Sequence, residues 1–256
     1  MVRGGSTQDV FQAGSESVGR EMAGPQEFAA DEIRVFSLLA NTGFRPGTVY
    51  DIGAANGTWA TLISNVFPDA SFHMFEPLAE VLPAFARDLK WQMETHPGFR
   101  LHAVALGSAN KKVKMRLHRD AYSSTTLDMG SHPDYQESCE VTQYRLDDYA
   151  KRFHLPLPDI LKLDVQGSER AILSNASACL AHATIVFAET WFCRGYGPET
   201  PLLSELQELL DRADYELVEL GYRFYDNMHR LYGCDAFFLK RPFAREVAPL
   251  MPAGSW

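Results

Sequence analysis

Val49-Tyr50-Asp51-Ile52-Gly53-Ala54-Ala55-Asn56-Gly57-Thr58 is the stretch that decides the fold. An apolar run, Thr48–Ile52, reads as a short buried strand carrying an acid near its end. A turn with two glycines follows, and sequence that suits a helix begins at Thr58. Glycine lacks a Cβ, so Gly53 and Gly57 allow close backbone approach or a positive φ. Strand, glycine turn and helix in direct succession form the opening of a βαβ unit.

The same rhythm extends in both directions. Upstream, Ala29–Leu39 has helical spacing and ends at Asn41-Thr42-Gly43, before the turn Pro46-Gly47. Downstream, a helix over Thr58–Val66, a strand over Ser71–Glu76, a helix near Ala84–Glu94 and a strand near Arg100–Ala105 are predicted. The alternation then breaks. Lys111–His118 and Glu140–Leu146 alternate with period two, which predicts a small antiparallel β insertion. Strand–helix order resumes with Ile160–Val165, a helix from Ser168 and the strand Ala183–Ala188. Leu202–Leu210 has helical spacing, and Tyr215–Leu220 and Ala236–Leu239 close the chain as an antiparallel pair. The predicted fold is α/β: a Rossmann-like, seven-stranded, mostly parallel sheet with helices on both faces.

The chain has 256 residues, 46% of them hydrophobic, enough for one sizeable core. It divides into an N-terminal segment 1–27 rich in polar residues and glycine, expected to be flexible, a single domain over 28–243 and a tail over 244–256. Lys and Arg number 24 against 33 Asp and Glu, a net charge of −9 that argues against general nucleic-acid binding. The four cysteines are far apart and show no metal-binding spacing. The N-terminus has no apolar leader and no run is long enough to span a bilayer, so a cytoplasmic, membrane-free protein is expected, with a homodimer left open.

Charge separates the ligands that such a turn can hold. A pyrophosphate needs bare N–H groups at a helix N-terminus, and Asp51 beside the turn would repel it. The spacing Gly53-x-x-x-Gly57 also departs from the dinucleotide pattern GxGxxG. S-adenosylmethionine carries an ammonium and a sulfonium and no phosphate, so an acid favours it. The next strand, Phe72-His73-Met74-Phe75-Glu76-Pro77, ends in an acid 19 residues after Gly57, placed to accept both hydroxyls of a ribose.

These two elements resemble motifs I and II of class I S-adenosylmethionine-dependent methyltransferases. Val104-Ala105-Leu106-Gly107, Arg145-Leu146-Asp147-Asp148-Tyr149 and Asp159-Ile160-Leu161-Lys162-Leu163-Asp164-Val165-Gln166-Gly167-Ser168-Glu169 narrow the resemblance to the FkbM-type family, from Thr48 to Leu239. The resemblance implies that Asp51, Gly53, Ala54, Asn56, Gly57 and Thr58 line the methionine and ribose end of the cofactor. It implies that Glu76 and Pro77 hold the ribose, that Ala105 and Leu106 flank the adenine, and that Asp164 and Gln166 close the pocket. Ser123-Ser124-Thr125-Thr126 resembles a polar loop that folds over the cofactor, with Ser124 in contact. Gln166 is a departure, because the family usually has a glutamate there.

The activity so implied is O-methylation of a small-molecule acceptor, a hydroxyl of a sugar, polyketide or peptide natural product, with S-adenosylhomocysteine as product. Glu189, ending the strand Ala183–Ala188, is the first candidate for base, followed by Asp164. His118, His132 and His229 fall near loops as alternatives, while His73 and His102 lie within strands and read as packed residues. Asp164 and Glu189 lack an evident third ligand for Mg²⁺, so no metal is expected. Trp191, Phe192, Tyr196, Tyr222, Tyr225 and Tyr232 are candidates for an acceptor wall. A nicotinamide-dependent oxidoreductase and a cofactor-binding scaffold without turnover are the competing readings.

Overall fold

The structure, a computed structural model, describes residues 30–135 and 137–251; the expected segment 1–27 lies outside the described residues. The chain opens with α1 (Ala30–Asn41), β1 (Thr48–Ile52), α2 (Thr58–Ser64), β2 (Ser71–Phe75), α3 (Pro83–Thr95) and β3 (Phe99–His102). β4 (Ala105–Leu106), β5 (Lys111–Leu117), β6 (Glu137–Tyr144) and α4 (Leu146–Arg152) follow, then β7 (Ile160–Leu163), α5 (Glu169–Leu173) and α6 (Ser177–His182). β8 (Ile185–Trp191), α7 (Leu203–Arg212), β9 (Tyr215–Tyr225), β10 (Leu231–Lys240) and α8 (Arg241–Val247) complete it.

Seven strands form the main sheet in the order β3-β2-β1-β7-β8-β10-β9. The first five are parallel; β10 alone runs against its neighbours β8 and β9. Alternate residues of each strand feed two cores. Val49, Phe72, Ile160, Phe187 and Phe237 pack under α1, α2, α3 and α8. Tyr50, Phe75, Leu161, Ala188 and Phe238 pack under α4, α5, α6 and α7. Burial on both faces explains why the parallel strands read as continuous apolar runs rather than alternating ones. On the first face Phe36 of α1 makes edge contacts with Trp59, Phe67, Phe187 and Phe237.

The structure revises several expected elements. The strand expected over Arg100–Ala105 is two: β3 stays in the main sheet, and β4 joins a three-stranded sheet beside β6. That small sheet is antiparallel between β5 and β6 but parallel between β4 and β6. β8 runs to Trp191 because β10 continues to pair with it as far as Gly233, so Glu189 lies within the strand rather than at its end. The helix α8 crosses the expected boundary at 243/244, and its Ala244 and Val247 belong to the core. His73 and His102 are packed as expected: His73 Nδ1 lies 3.0 Å from His102 Nε2, whose Nδ1 lies 3.2 Å from the Tyr149 hydroxyl.

Candidate active site

The chain reverses its direction of winding between β1 and β7, and ligands of open α/β sheets bind in the crevice beyond such a point. There the backbone makes its closest approach. Gly53, at φ +79°, has no room for a side chain, since a Cβ would stand 1.8 Å from the Asp164 carbonyl oxygen. Its N–H donates to the Phe75 carbonyl at 2.9 Å, tying the turn to the end of β2. Gly57, at φ +81°, instead lets α3 pack closely, because a Cβ would press on Gln92 and Leu89 at 3.1 and 3.3 Å.

A cavity opens beyond these strand ends, with about 1140 Å³ of space including its mouth. Gly53, Glu76, Pro77, Ala105, Leu106, Ser124, Asp164, Gln166 and Glu189 line it, all candidates from sequence. Asp51, Ala54, Asn56, Gly57 and Thr58 do not. Asn56 is used locally, its Oδ1 accepting from the Thr58 amide at 3.2 Å and the Thr58 hydroxyl at 2.8 Å. Asp51 is fully buried, with Oδ1 2.9 Å from Lys162 Nζ. That ammonium also donates to the Gly53 carbonyl at 2.7 Å and lies 3.7 Å from Asp164. Burial works against the Lys162 charge, but Asp51 and Asp164 outweigh it and hold its pKa above the ordinary lysine value. Asp51 and Lys162 are register partners on β1 and β7, so the acid of the glycine motif braces the turn from beneath.

Glu76 is 5% exposed and faces the cavity. Its Oε1 accepts from the Leu78 amide and its Oε2 from the Ala55 amide, both at 2.8 Å. Each carboxylate oxygen keeps acceptor capacity for a further donor. Burial pushes its pKa up to about 7, opposed by those two amides. Glu169, also buried, accepts from the Val165 and Gly167 amides at 3.2 Å and so holds the β7–α5 turn.

Across the cavity, Gln166 joins two acids. Its Nε2 donates to Asp164 Oδ1 at 2.6 Å and to Glu189 Oε2 at 3.0 Å, and its Oε1 accepts from the Tyr196 hydroxyl. Glu189 is half-buried; desolvation first, then repulsion by Asp164, Glu169 and Asp235, raises its pKa well above the ordinary glutamate value. The aromatic wall is Trp191, which stacks on Tyr232 at 5.8 Å, meets Tyr196 edge-on at 5.2 Å and lies 6.1 Å from Phe224. Phe192, Tyr222 and Tyr225 are not part of the lining, and neither are His118, His132 and His229. Sequence reading does not find Phe85, Met115, Tyr122 and Phe224, which line the cavity from α3, β5, the loop after it and β9. Only Tyr122, next to the Ser123–Thr126 run, stands beside a usable signal.

Among the described residues, no group of three His, Cys, Asp or Glu side chains is placed to hold a metal ion, and no helix is long and apolar enough to cross a membrane. The fit to S-adenosylmethionine rests on the donor set. The lining holds three carboxylates, Glu76, Asp164 and Glu189, and among the described residues no Lys, Arg or His. Such a lining suits a cationic, phosphate-free nucleoside and opposes a dinucleotide.

No curated protein matches the sequence. The structure resembles a crystal structure of methyltransferase FkbM from Methylobacillus flagellatus KT, with a TM-score of 0.50, 18% identity, and 75% of this chain but 43% of that one covered. This chain thus spans less than half the length of that relative. Precorrin-6y C5,15-methyltransferase from Geobacter metallireducens GS-15 aligns with a TM-score of 0.44 and 12% identity, covering 88% of this chain and 93% of its own. Magnesium protoporphyrin IX methyltransferase from Synechocystis PCC 6803 gives 0.45 and 10%, covering 91% and 90%. The family model for the methyltransferase FkbM domain matches residues 51–224, more than half of the chain, and the chain therefore belongs to that family of S-adenosylmethionine-dependent methyltransferases.

Proposed function

We propose that the protein transfers a methyl group from S-adenosylmethionine to a hydroxyl oxygen of a small molecule in the cytoplasm, the acceptor being a sugar, polyketide or peptide natural product. The observation that carries this reading is the cavity lining, with three carboxylates and, among the described residues, no cation. Glu76 would accept the ribose hydroxyls, Ala105 and Leu106 would flank the adenine, and Ser124 would close over it. Asp164 would receive the ammonium or sulfonium end. When bound, the cofactor supplies a methyl on a sulfonium, already activated toward a nucleophile. The chain's own work is then to align the acceptor, exclude water and remove a proton. Trp191 and its aromatic neighbours would seat the acceptor, and Glu189 Oε1, the oxygen not held by Gln166, would take the hydroxyl proton. Nitrogen and carbon acceptors are the alternatives to oxygen within the same family reading.

Calorimetry tests the first half. S-adenosylmethionine is expected to bind and NAD to give no heat; the reverse result overturns the reading. A protonated Glu76 offers fewer acceptor sites, so affinity is expected to rise as pH passes through about 7. Glu76→Ala is expected to lower the affinity by about tenfold or more, the loss of two charge-assisted hydrogen bonds.

A further inference from the structure

We propose that Gln166 is a positioning residue for Glu189: its side-chain amide clamps Glu189 and Asp164 together, in one polarity, so that Glu189 loses its proton more readily than it would without the donor and presents its free oxygen to the acceptor. The inference rests on the assignment of Glu189 as base. It begins from a side-chain amide in the cavity that bridges two acids, Asp164 and Glu189.

The geometry leaves the amide little choice. Gln166 adopts φ +54°, uncommon for a residue with a side chain, and its carbonyl accepts from the Thr125 hydroxyl at 2.8 Å. Its two N–H bonds reach one carboxylate just after β7 and one on the adjacent strand β8, at 2.6 and 3.0 Å. Turning the amide over would aim its oxygen at both acids. The Tyr196 hydroxyl, donating to that oxygen, fixes the other polarity. Tyr196 is itself held, its amide donating to the Thr200 hydroxyl at 2.9 Å.

The groups facing Glu189 are Lys162 from β7, Asp164 from the turn after it, Glu169 from α5, Asp235 from β10, and Tyr196 and Tyr135 from the loops. Three of these are acids, and Lys162 is engaged with Asp51. Gln166 therefore supplies Glu189 with a neutral donor that favours its charged form. A glutamate at 166 would instead place three carboxyls around one point, and at least one would hold a proton shared among them.

Carboxyl ¹³C NMR on glutamate-labelled protein tests the clamp, with the Glu189 signal assigned by its loss in Glu189→Gln. In Gln166→Met, similar in length and without donors, the Glu189 midpoint is expected to rise by about one pH unit or more, a tenfold change in proton affinity. Tyr196→Phe, which releases the amide, is expected to shift it the same way by less, and provides a second variant should Gln166→Met not fold. Gln166→Glu is expected to show two carboxyls titrating in linked steps. A Glu189 midpoint unmoved by either of the first two changes overturns the proposal, since a merely structural glutamine would leave it in place. Calorimetry with S-adenosylhomocysteine on the unaltered protein separates the two failures: no binding sinks the cofactor reading, whereas binding with an unmoved midpoint sinks only the clamp.

Discussion

Lys162→Met is expected to destabilise the protein by about 3–5 kcal/mol, the usual cost of leaving a buried charge without its partner. The Lys162 side chain is 4% exposed, and methionine fills similar space without the ammonium. Asp51, fully buried, would then lose its counter-charge and keep the Ala60 amide beside the nearby Asp164 charge. It is expected to take up a proton, so the deficit should shrink as pH falls and widen as pH rises. Adding Asp51→Asn to Lys162→Met should recover part of the loss, because the orphaned charge is gone. Denaturant unfolding measures both variants against the unaltered protein. A loss below about 1 kcal/mol for Lys162→Met would mean that the pair does not brace the turn.

Glu189→Gln is expected to cut methyl transfer by about 10²–10⁴-fold, the ordinary contribution of a positioned base. The readout is label from methyl-labelled S-adenosylmethionine appearing in a metabolite extract, or in a purified acceptor once identified. The pH dependence carries the sharper signature. Transfer should fall as pH drops through the raised Glu189 pKa, giving an acid limb above the ordinary carboxylate range that the glutamine variant lacks. Stability should move the other way. A carboxyl with a raised folded pKa contributes stability fully present below its unfolded pKa, and this is lost as pH rises through the folded value. Removing the carboxyl should therefore spare the variant that alkaline loss, which separates a catalytic defect from a folding one. Undiminished transfer in Glu189→Gln would end its role as base.

The two acids of the opening motifs show what a chain discloses by itself. Glu76 follows β2 directly, and both donors to its carboxylate lie nearby, on Ala55 and Leu78. Its place at the cavity is legible from strand, turn and spacing. Asp51 sits in an equally legible strand, yet the sequence alone suggests a ligand-facing acid and the structure shows a bracing one. Its partner Lys162 is more than a hundred residues away, and only the parallel register of β1 and β7 joins them. A buried lysine inside an apolar strand is the signal that could have found the pair, since such a charge requires a counter-charge.

The same distinction runs through the fold. The expected β1 matches the observed strand to the residue and β2 to within one, because apolar runs bounded by turn residues are local features. α4, α6 and α8 escape a sequence reading, being short helices whose stability comes from packing on the sheet rather than from their own residues. The aromatic wall depends on Gly233 of β10, where a Cβ would meet Phe224 at 2.8 Å and Trp191 at 3.3 Å. Three strands must be in place before that absence becomes room for rings.

Both cofactor and base assignments meet at one point, the acid-lined cavity beyond β1, β2 and β7. A crystal structure with S-adenosylhomocysteine bound tests it most directly. The account predicts ribose hydroxyls within about 3 Å of Glu76, and the sulfur on the side of the cavity where Asp164 and Glu189 are joined by Gln166. A nucleoside held with its ribose away from Glu76, or its sulfur turned from those two acids, would contradict it.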